Sequence, residues 1–407
     1  MRILNLLRYA YPHVQSGATG KNVNELTKGL SIYDEIEVND HWVWNTSKDK
    51  DCQYKKIDYS IGLERSTSTG FPPLEKLNQP HSKPTEHIIN SILVNLSMMS
   101  EVDNPKIKYD IIHARTWEAF LAGILLKQAW KKPLLYTAHD FMKKQMSMDS
   151  LENESAEYSA FGEELAVTKS DIVIAQSKAS KNDLVSLHGV DPGKCVIIHP
   201  GVDTKIFNPG QRKQNKNYVL FVGRASPTKG IYQLLEASLL VNRSIKFVFC
   251  LSTNTWDGNR NPNADDILKR IDAVSKERGN IDGVILNEWN RYKIATIYAN
   301  AFLTVVPSLM EPFGNVAIES MSCGTPVIAN AVGGLLDSVI HNKTGLLIDP
   351  GKKGYIESLA TAIERLALDT TTRNEFSLDA HRHVHKNFTL KKWAHQHFQL
   401  YSTLLKQ

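Results

Sequence analysis

The sequence predicts an α/β protein made of two doubly wound parallel-sheet domains, and three observations carry that prediction. At 407 residues the chain exceeds one ordinary core, so two domains of roughly 200 residues each are expected. Short apolar runs such as Tyr109-Asp110-Ile111-Ile112-His113-Ala114 and Tyr218-Val219-Leu220-Phe221-Val222 alternate with amphipathic helical stretches, the rhythm of strand-helix-strand units. A glycine-containing turn follows the first strand of each half, at residues 16–21 and 223–230, where such sheets receive anions on helix N-termini.

Composition bounds the function classes. Hydrophobic residues make up 42% and charged residues 22%, the balance of a globular chain. No apolar run reaches the roughly 18 residues that span a bilayer. The segment MRILNLLRYAYPHV lacks a small-x-small cleavage pattern and reads as a mature first strand, not a signal peptide. Cys52, Cys195, Cys250 and Cys323 are far apart with no Cys-x-x-Cys, which points away from zinc or disulfide frameworks and toward a reduced, cytoplasmic chain. The net charge is +5, and its distribution is uneven: residues 1–200 carry 23 basic against 25 acidic side chains, the remainder 25 against 18. The second half therefore suits an anionic ligand, while a diffuse excess of that size calls for no nucleic-acid partner.

In chain order, residues 3–9 form a buried strand, and a loop with Gly17 and Gly20 leads to a helix over 22–28 with Gly29 as its cap. The loop is not a Walker A motif, because two residues separate the glycines and Asn22 stands where Ser or Thr would hold magnesium. Strands at 41–44 and 59–62, a proline-containing polar segment and a helix over 85–100 follow. Asp49-Lys50-Asp51 has the form of a metal-binding Asp-x-Asp but lies in a charged run with no flanking strand, so no metal ligand is assigned. The strand over 109–114, a helix over 117–130 and a strand over 133–140 come next. His139 stands at that strand's carboxyl end, where ligands gather. His113 and Arg115, near the end of the preceding strand, are lesser candidates for ligand contact. A helix over 152–168, a strand over 171–175, a helix after Ser177 and a strand over 195–203 complete a first domain ending at 207.

The second domain opens with the strand over 218–222, followed by the loop cations Arg224 and Lys229. A strand over 247–251, a polar insertion with Trp256, Asn259 and Asp265-Asp266, a strand over 284–286 and the loop at Asn287 precede a helix over 291–300. The densest stretch is 305–350. An apolar run stops at Pro307-Ser308, and Glu311-Pro312-Phe313-Gly314-Asn315 turns tightly into a helix over 316–322. The amides around Phe313, Gly314, Asn315 and Val316 lack intrahelical acceptors and face outward as a phosphate cradle. Glu311 precedes the helix and Glu319 lies on it. Carboxylates repel phosphate but accept hydrogen bonds from paired sugar hydroxyls, so the ligand has phosphate between hydroxylated rings. Helices over 359–368 and 390–405 end the chain, the last with Ala394, Phe398, Tyr401 and Leu405 at core spacing.

Glu311-x7-Glu319, with Pro307-Ser308, Glu311-Pro312-Phe313-Gly314, Gly324-Thr325-Pro326-Val327 and Gly333-Gly334, resembles the donor-site signature of retaining glycosyltransferases of family 4, also called group 1. The resemblance implies the GT-B fold, two Rossmann-like domains facing across a cleft. A nucleotide-diphosphate sugar would sit on the second domain, residues 208–389, and a hydroxylated acceptor (saccharide, lipid-linked or small molecule) on the first. The final helix would pack back onto the first. It also implies residue roles: Arg224 and Lys229 grip the diphosphate, Glu311 the sugar, Glu319 the ribose, and Asn287 the base through its backbone. His139 faces the sugar, and Gly17 and Gly20 lie near the phosphates. His199-Pro200 departs from the family by lacking an Asn before Gly201-Val202-Asp203. With phosphate neutralised by Arg, Lys and amides, no metal or other cofactor is expected. Lys131-Lys132 and Lys143-Lys144 are candidates for a peripheral contact with an anionic membrane. An epimerase or hydrolase on the same fold, or a silent nucleotide-binding subunit, are the alternative readings.

Overall fold

The computed structural model describes residues 1–7, 25–42, 108–139, 141–149, 154–211, 218–253, 261–288 and 290–406, with single positions at 92, 95, 96 and 99. The expected Gly17 and Gly20 turn, Asp49-Lys50-Asp51, the strand at 59–62, Asp140, Trp256 and Asn259 lie outside the described residues. The chain divides into two compact units, Met1–Ile198 with Trp393–Gln407, and His199–Lys392. The division falls earlier than the expected 207 because the intervening residues pack in the second unit. Val202 and Phe207 lie in its core, and the Val202 amide donates to Phe388 O at 2.8 Å.

The first unit holds β1 (Arg2–Leu7), β2 (Glu37–Trp42), β3 (Ile111–Ala114), β4 (Leu134–Ala138), β5 (Ile172–Ala175) and β6 (Cys195–Ile197) in the order β2-β1-β3-β4-β5-β6. All its pairings are parallel. β3 and β4 are buried along their whole length, which their unbroken apolar runs permit and an alternating pattern would not. Helices α1 (Phe120–Trp130), α2 (Met142–Asp149), α3 (Glu154–Lys169) and α4 (Lys178–His188) accompany the sheet. Ser177 caps α4 by accepting from the Ser180 amide. Gly29, expected as a cap, lies inside helical residues 25–30.

The second unit holds β7 (Tyr218–Arg224), β8 (Lys246–Ser252), β9 (Ile281–Leu286), β10 (Leu303–Val306), β11 (Val327–Asn330) and β12 (Gly345–Ile348), ordered β12-β11-β10-β7-β8-β9 and parallel throughout. Its helices are α5 (Ile231–Leu240), α6 (Ala264–Arg278), α7 (Arg291–Asn300), α8 (Asn315–Ser322), α9 (Leu335–Ser338), α10 (Tyr355–Leu368) and α11 (Thr370–Asn387). Strand order reverses between β7 and β10, as it does between β1 and β3 in the first unit, and the crevice at such a reversal is where an open parallel sheet binds ligands.

Three helices depart from the sequence reading. The polar insertion containing Asp265-Asp266 is the start of α6, whose Ile267, Ile271 and Val274 are buried. Helix α11 was not expected, because only Phe376, Ala380 and Val384 face inward along its polar length. Their spacing of four was the available signal. Helix α2 likewise went unread. Arg224, placed by sequence in a loop, is the last residue of β7 and pairs with Ser252.

Candidate functional site

In the second unit, the loops leaving β7 and β10 meet at the strand-order reversal. Pro227–Lys229 form a single 3-10 turn, and Thr228 O accepts from the Leu309 amide at 2.9 Å, stitching the loops together. Asn330, at the end of β11 and fully buried, donates through Nδ2 to Pro307 O (2.9 Å) and Ser308 O (3.1 Å), while its Oδ1 accepts from Tyr355 OH (2.8 Å). A buried amide with its hydrogen bonds met in this way fixes the β10 loop.

On that frame Lys229 Nζ donates to Glu311 Oε2 at 2.7 Å, and the Ser308 hydroxyl donates to the same oxygen at 3.1 Å. The two charged side chains are only 21% and 14% exposed. The pair is thus partly desolvated, which makes removal of one partner costlier than at an exposed ion pair worth up to about 1 kcal/mol. Phe221, Gly223, Pro307 and Val316 complete a small pocket around Lys229, Ser308 and Glu311. Among the described residues Arg224 makes no ion pair.

Gly314 starts α8 at φ +100°, a backbone that side chains rarely adopt, and places Asn315 and Val316 at the amide positions without intrahelical acceptors. Phe313 contributes only backbone here. Its ring is buried between His199 (centroids 5.6 Å, stacked) and Phe388 (5.6 Å, edge-on). Glu311 is braced from behind by Gly333-Gly334. The Gly334 amide donates to Glu311 O at 2.8 Å, and a Cβ on Gly333 would lie 2.0 Å from that oxygen.

Glu319 Oε2 accepts from Tyr298 OH at 3.1 Å. Tyr298 is fully buried, and burial together with the neighbouring Glu319 charge drives its phenol far above the usual range. Sequence reasoning missed Tyr298, whose place beside Ala295 and Ala299 on α7 reads as plain core. Asn287 holds a positive φ of 53° and spends its side chain on Thr253, accepting from the amide at 3.0 Å and donating to Oγ1 at 2.9 Å. Its own amide donates to Leu251 O, so it shapes the loop and offers a ligand only its carbonyl.

In the first unit, His139 follows β4. Its Nδ1 accepts from the Gln176 side-chain amide, so the ring proton sits on Nε2, which is inaccessible and has no hydrogen-bond partner among the described residues. Burial and the Arg115 guanidinium push His139 down to about 3, leaving a neutral donor. His113 is committed on both sides, to Tyr401 OH and Thr137 Oγ1 at 2.8 Å each, and both His113 and Arg115 are fully buried. His113 is therefore a structural member of this cluster and has no nitrogen left for an acceptor. His397 is held at about 3 by burial first and Arg115 second.

These shifts predict acid lability. A ring near 3 when folded and about 6.5 when unfolded binds its proton more readily in the unfolded chain, so stability is full above about pH 6.5 and falls as pH drops toward 3. The expected loss is on the order of 2 kcal/mol per ring by pH 5. A thermal midpoint that is flat between pH 7 and 5 would contradict it.

Of the lysines considered for membrane contact, Lys132 approaches Asp110 (3.9 Å), and Lys143 and Lys144 pair with Glu164 (2.5 Å) and Asp183 (2.8 Å). Among the described residues no helix is long and apolar enough to cross a membrane.

Two parallel-sheet units, with a cation-acid cluster and a helix N-terminus at one strand-order reversal, define a sugar-nucleotide-dependent transferase of the GT-B class. Comparison with known proteins agrees. The model "Glycosyl transferases group 1" matches residues 202–383 and "Glycosyltransferase Family 4" matches 74–206. A D-inositol 3-phosphate glycosyltransferase of Kribbella flavida is 31% identical over 68% of this chain and 67% of its own length. Its counterpart in Pseudarthrobacter chlorophenolicus is 30% identical over 76% and 77%. Mycobacteroides abscessus has another at 33%, matched over only 55% of its length. Among solved structures, a sucrose-phosphate synthase of Thermosynechococcus elongatus superposes with TM-score 0.76 at 24% identity, covering 100% of this chain and 99% of that one. Anabaena HepE, in complex with UDP and glucose, gives 0.70 at 21%, covering 99% of each. The chain belongs to glycosyltransferase family 4, and it is a retaining enzyme that moves a sugar from a nucleotide-sugar donor.

Proposed function

We propose that the second unit binds a nucleoside-diphosphate hexose at the Lys229, Glu311 and α8 cluster, and that transfer proceeds by same-face attack. The observation that carries this reading is the Lys229-Glu311-Ser308 contact set at the β7/β10 reversal. Lys229 and Arg224, with the amides at Asn315 and Val316, stabilise charge growing on the leaving diphosphate, a contribution often worth several kcal/mol. Glu311 accepts from sugar hydroxyls, and Glu319, held by Tyr298, from the ribose. The bond from the anomeric carbon to the donor phosphate oxygen breaks, the acceptor oxygen bonds that carbon on the same face, and the acceptor's proton passes to the leaving phosphate.

The acceptor is a hydroxylated molecule taken by the first unit. The relatives' names make a polyol phosphate the first to try and a sugar phosphate the second. No metal is needed, because side-chain cations and amides supply the positive charge. The chain works in the cytoplasm.

The test is product analysis with UDP-, GDP- and ADP-hexoses against a panel of polyol phosphates and saccharides, with and without EDTA. An α-configured donor is expected to give an α-glycoside at an EDTA-insensitive rate. Inverted product would refute same-face attack, and free or epimerised sugar without acceptor would favour a hydrolase or epimerase. A rate restored only by a divalent ion would overturn metal independence.

A further inference from the structure

Near its end helix α11 reads Ala380-His381-Arg382-His383-Val384-His385, and two of these histidines stand side by side. His381 and His385 stand one helical turn apart on the same face, and their ring centroids are 4.1 Å from each other with planes tilted by 44°. His381 is oriented from behind. Its Nδ1 lies 2.9 Å from Ser322 O, and a carbonyl can only accept, so Nδ1 carries a proton and the ring is held with Nε2 turned away from that contact. A ring N–H donated to a backbone carbonyl while the other nitrogen stays open is the arrangement that metal-ligating histidines adopt. His385 is exposed. His383 faces elsewhere, with Nδ1 near the Asn387 side-chain amide at 3.0 Å and its ring edge-on to Phe388.

We propose that His381 and His385 form a two-point imidazole site for a divalent transition metal, distinct from the donor site. Two neutral imidazoles suit Cu²⁺, Ni²⁺ and Zn²⁺, and do not suit Mg²⁺ or Ca²⁺, which take oxygen ligands. Among the described residues no third His, Cys, Asp or Glu joins the pair, so water fills the remaining positions and the affinity is that of a bidentate chelate. Bound metal clamps the last turns of α11 through His381 onto the Ser322 carbonyl at the end of α8, the helix that carries Glu319.

The experiment is isothermal titration and thermal shift on the untagged full chain with Ni²⁺, Zn²⁺, Cu²⁺ and Mg²⁺ chlorides, comparing wild type with His385→Ala and His381→Gln. His385 is on the surface, so its replacement leaves the fold intact. The expected result is at least tenfold weaker Ni²⁺ binding by each variant, a wild-type midpoint that rises with Ni²⁺ or Zn²⁺ and not with Mg²⁺, and loss of that rise in His385→Ala. Equal Ni²⁺ affinity and equal midpoint shifts in wild type and His385→Ala would place the metal on other histidines of the chain and overturn the site.

Discussion

Lys229→Ala is expected to lower kcat/KM for transfer at least about tenfold, or ~1.4 kcal/mol of transition-state stabilisation. Lys229 has three N–H donors, and one is given to Glu311 at 2.7 Å. The other two remain for a diphosphate whose charge grows as the sugar departs. Removing the ammonium deletes that stabilisation. It also leaves Glu311, only 14% exposed, with Ser308 as its described hydrogen-bond donor and an uncompensated charge facing the incoming phosphates. The two effects predict non-additivity: Lys229→Ala/Glu311→Ala is expected to lose less than the sum of the single losses, because the double variant has no orphaned carboxylate. Initial rates over a donor concentration series, with circular dichroism to confirm folding, measure both quantities. A folded Lys229→Ala enzyme within twofold of wild type would remove this lysine from the chemistry.

How much of this was readable in the residues differs by element. The strands β3, β4, β7 and β10 were legible because a sheet buried on both faces demands unbroken apolar runs, and no other local structure explains short ones bounded by turn residues. Glu311 and Glu319 were legible as a pair from their spacing around a glycine- and proline-punctuated turn, and Lys229 only through the resemblance to the family's donor-site signature. The contact between Lys229 and Glu311 was not, since it joins loops 82 positions apart through the β7/β10 pairing. Tyr298 and Asn330 were hidden for a related reason. Each occupies a position whose local pattern says core, and its polar group finds its partner only in the folded chain. Helix α11 was hidden because its apolar stripe is narrow and nearly all of the rest is polar.

The lysine-acid contact also constrains how a donor enters. An ion pair already formed in the free protein holds Glu311 and Lys229 in register with the pocket, so a diphosphate sugar exchanges partners rather than ordering two loose side chains. Pre-organisation of this kind makes the backbone under Glu311 as important as its carboxylate.

Gly333→Ala tests that backbone, and Gly279→Ala is its control. Both glycines have positive φ, 53° and 62°, so both substitutions carry the left-handed penalty of about 1–2 kcal/mol. They differ in what a Cβ meets. At Gly279, which caps α6, nothing lies within 4 Å, whereas at Gly333 the Glu311 carbonyl oxygen would be 2.0 Å away. The 333 loop must therefore move, and with it the hydrogen bond from the Gly334 amide to that oxygen, so Glu311 is displaced from Lys229. Gly279→Ala is expected to lose about 1 kcal/mol of stability and keep wild-type turnover. Gly333→Ala is expected to lose about 3 kcal/mol or more, or to relax and lose at least tenfold in kcat/KM. Denaturant midpoints and initial rates on the two variants decide it. If they match in both, the glycine pair is not what holds the carboxylate in place.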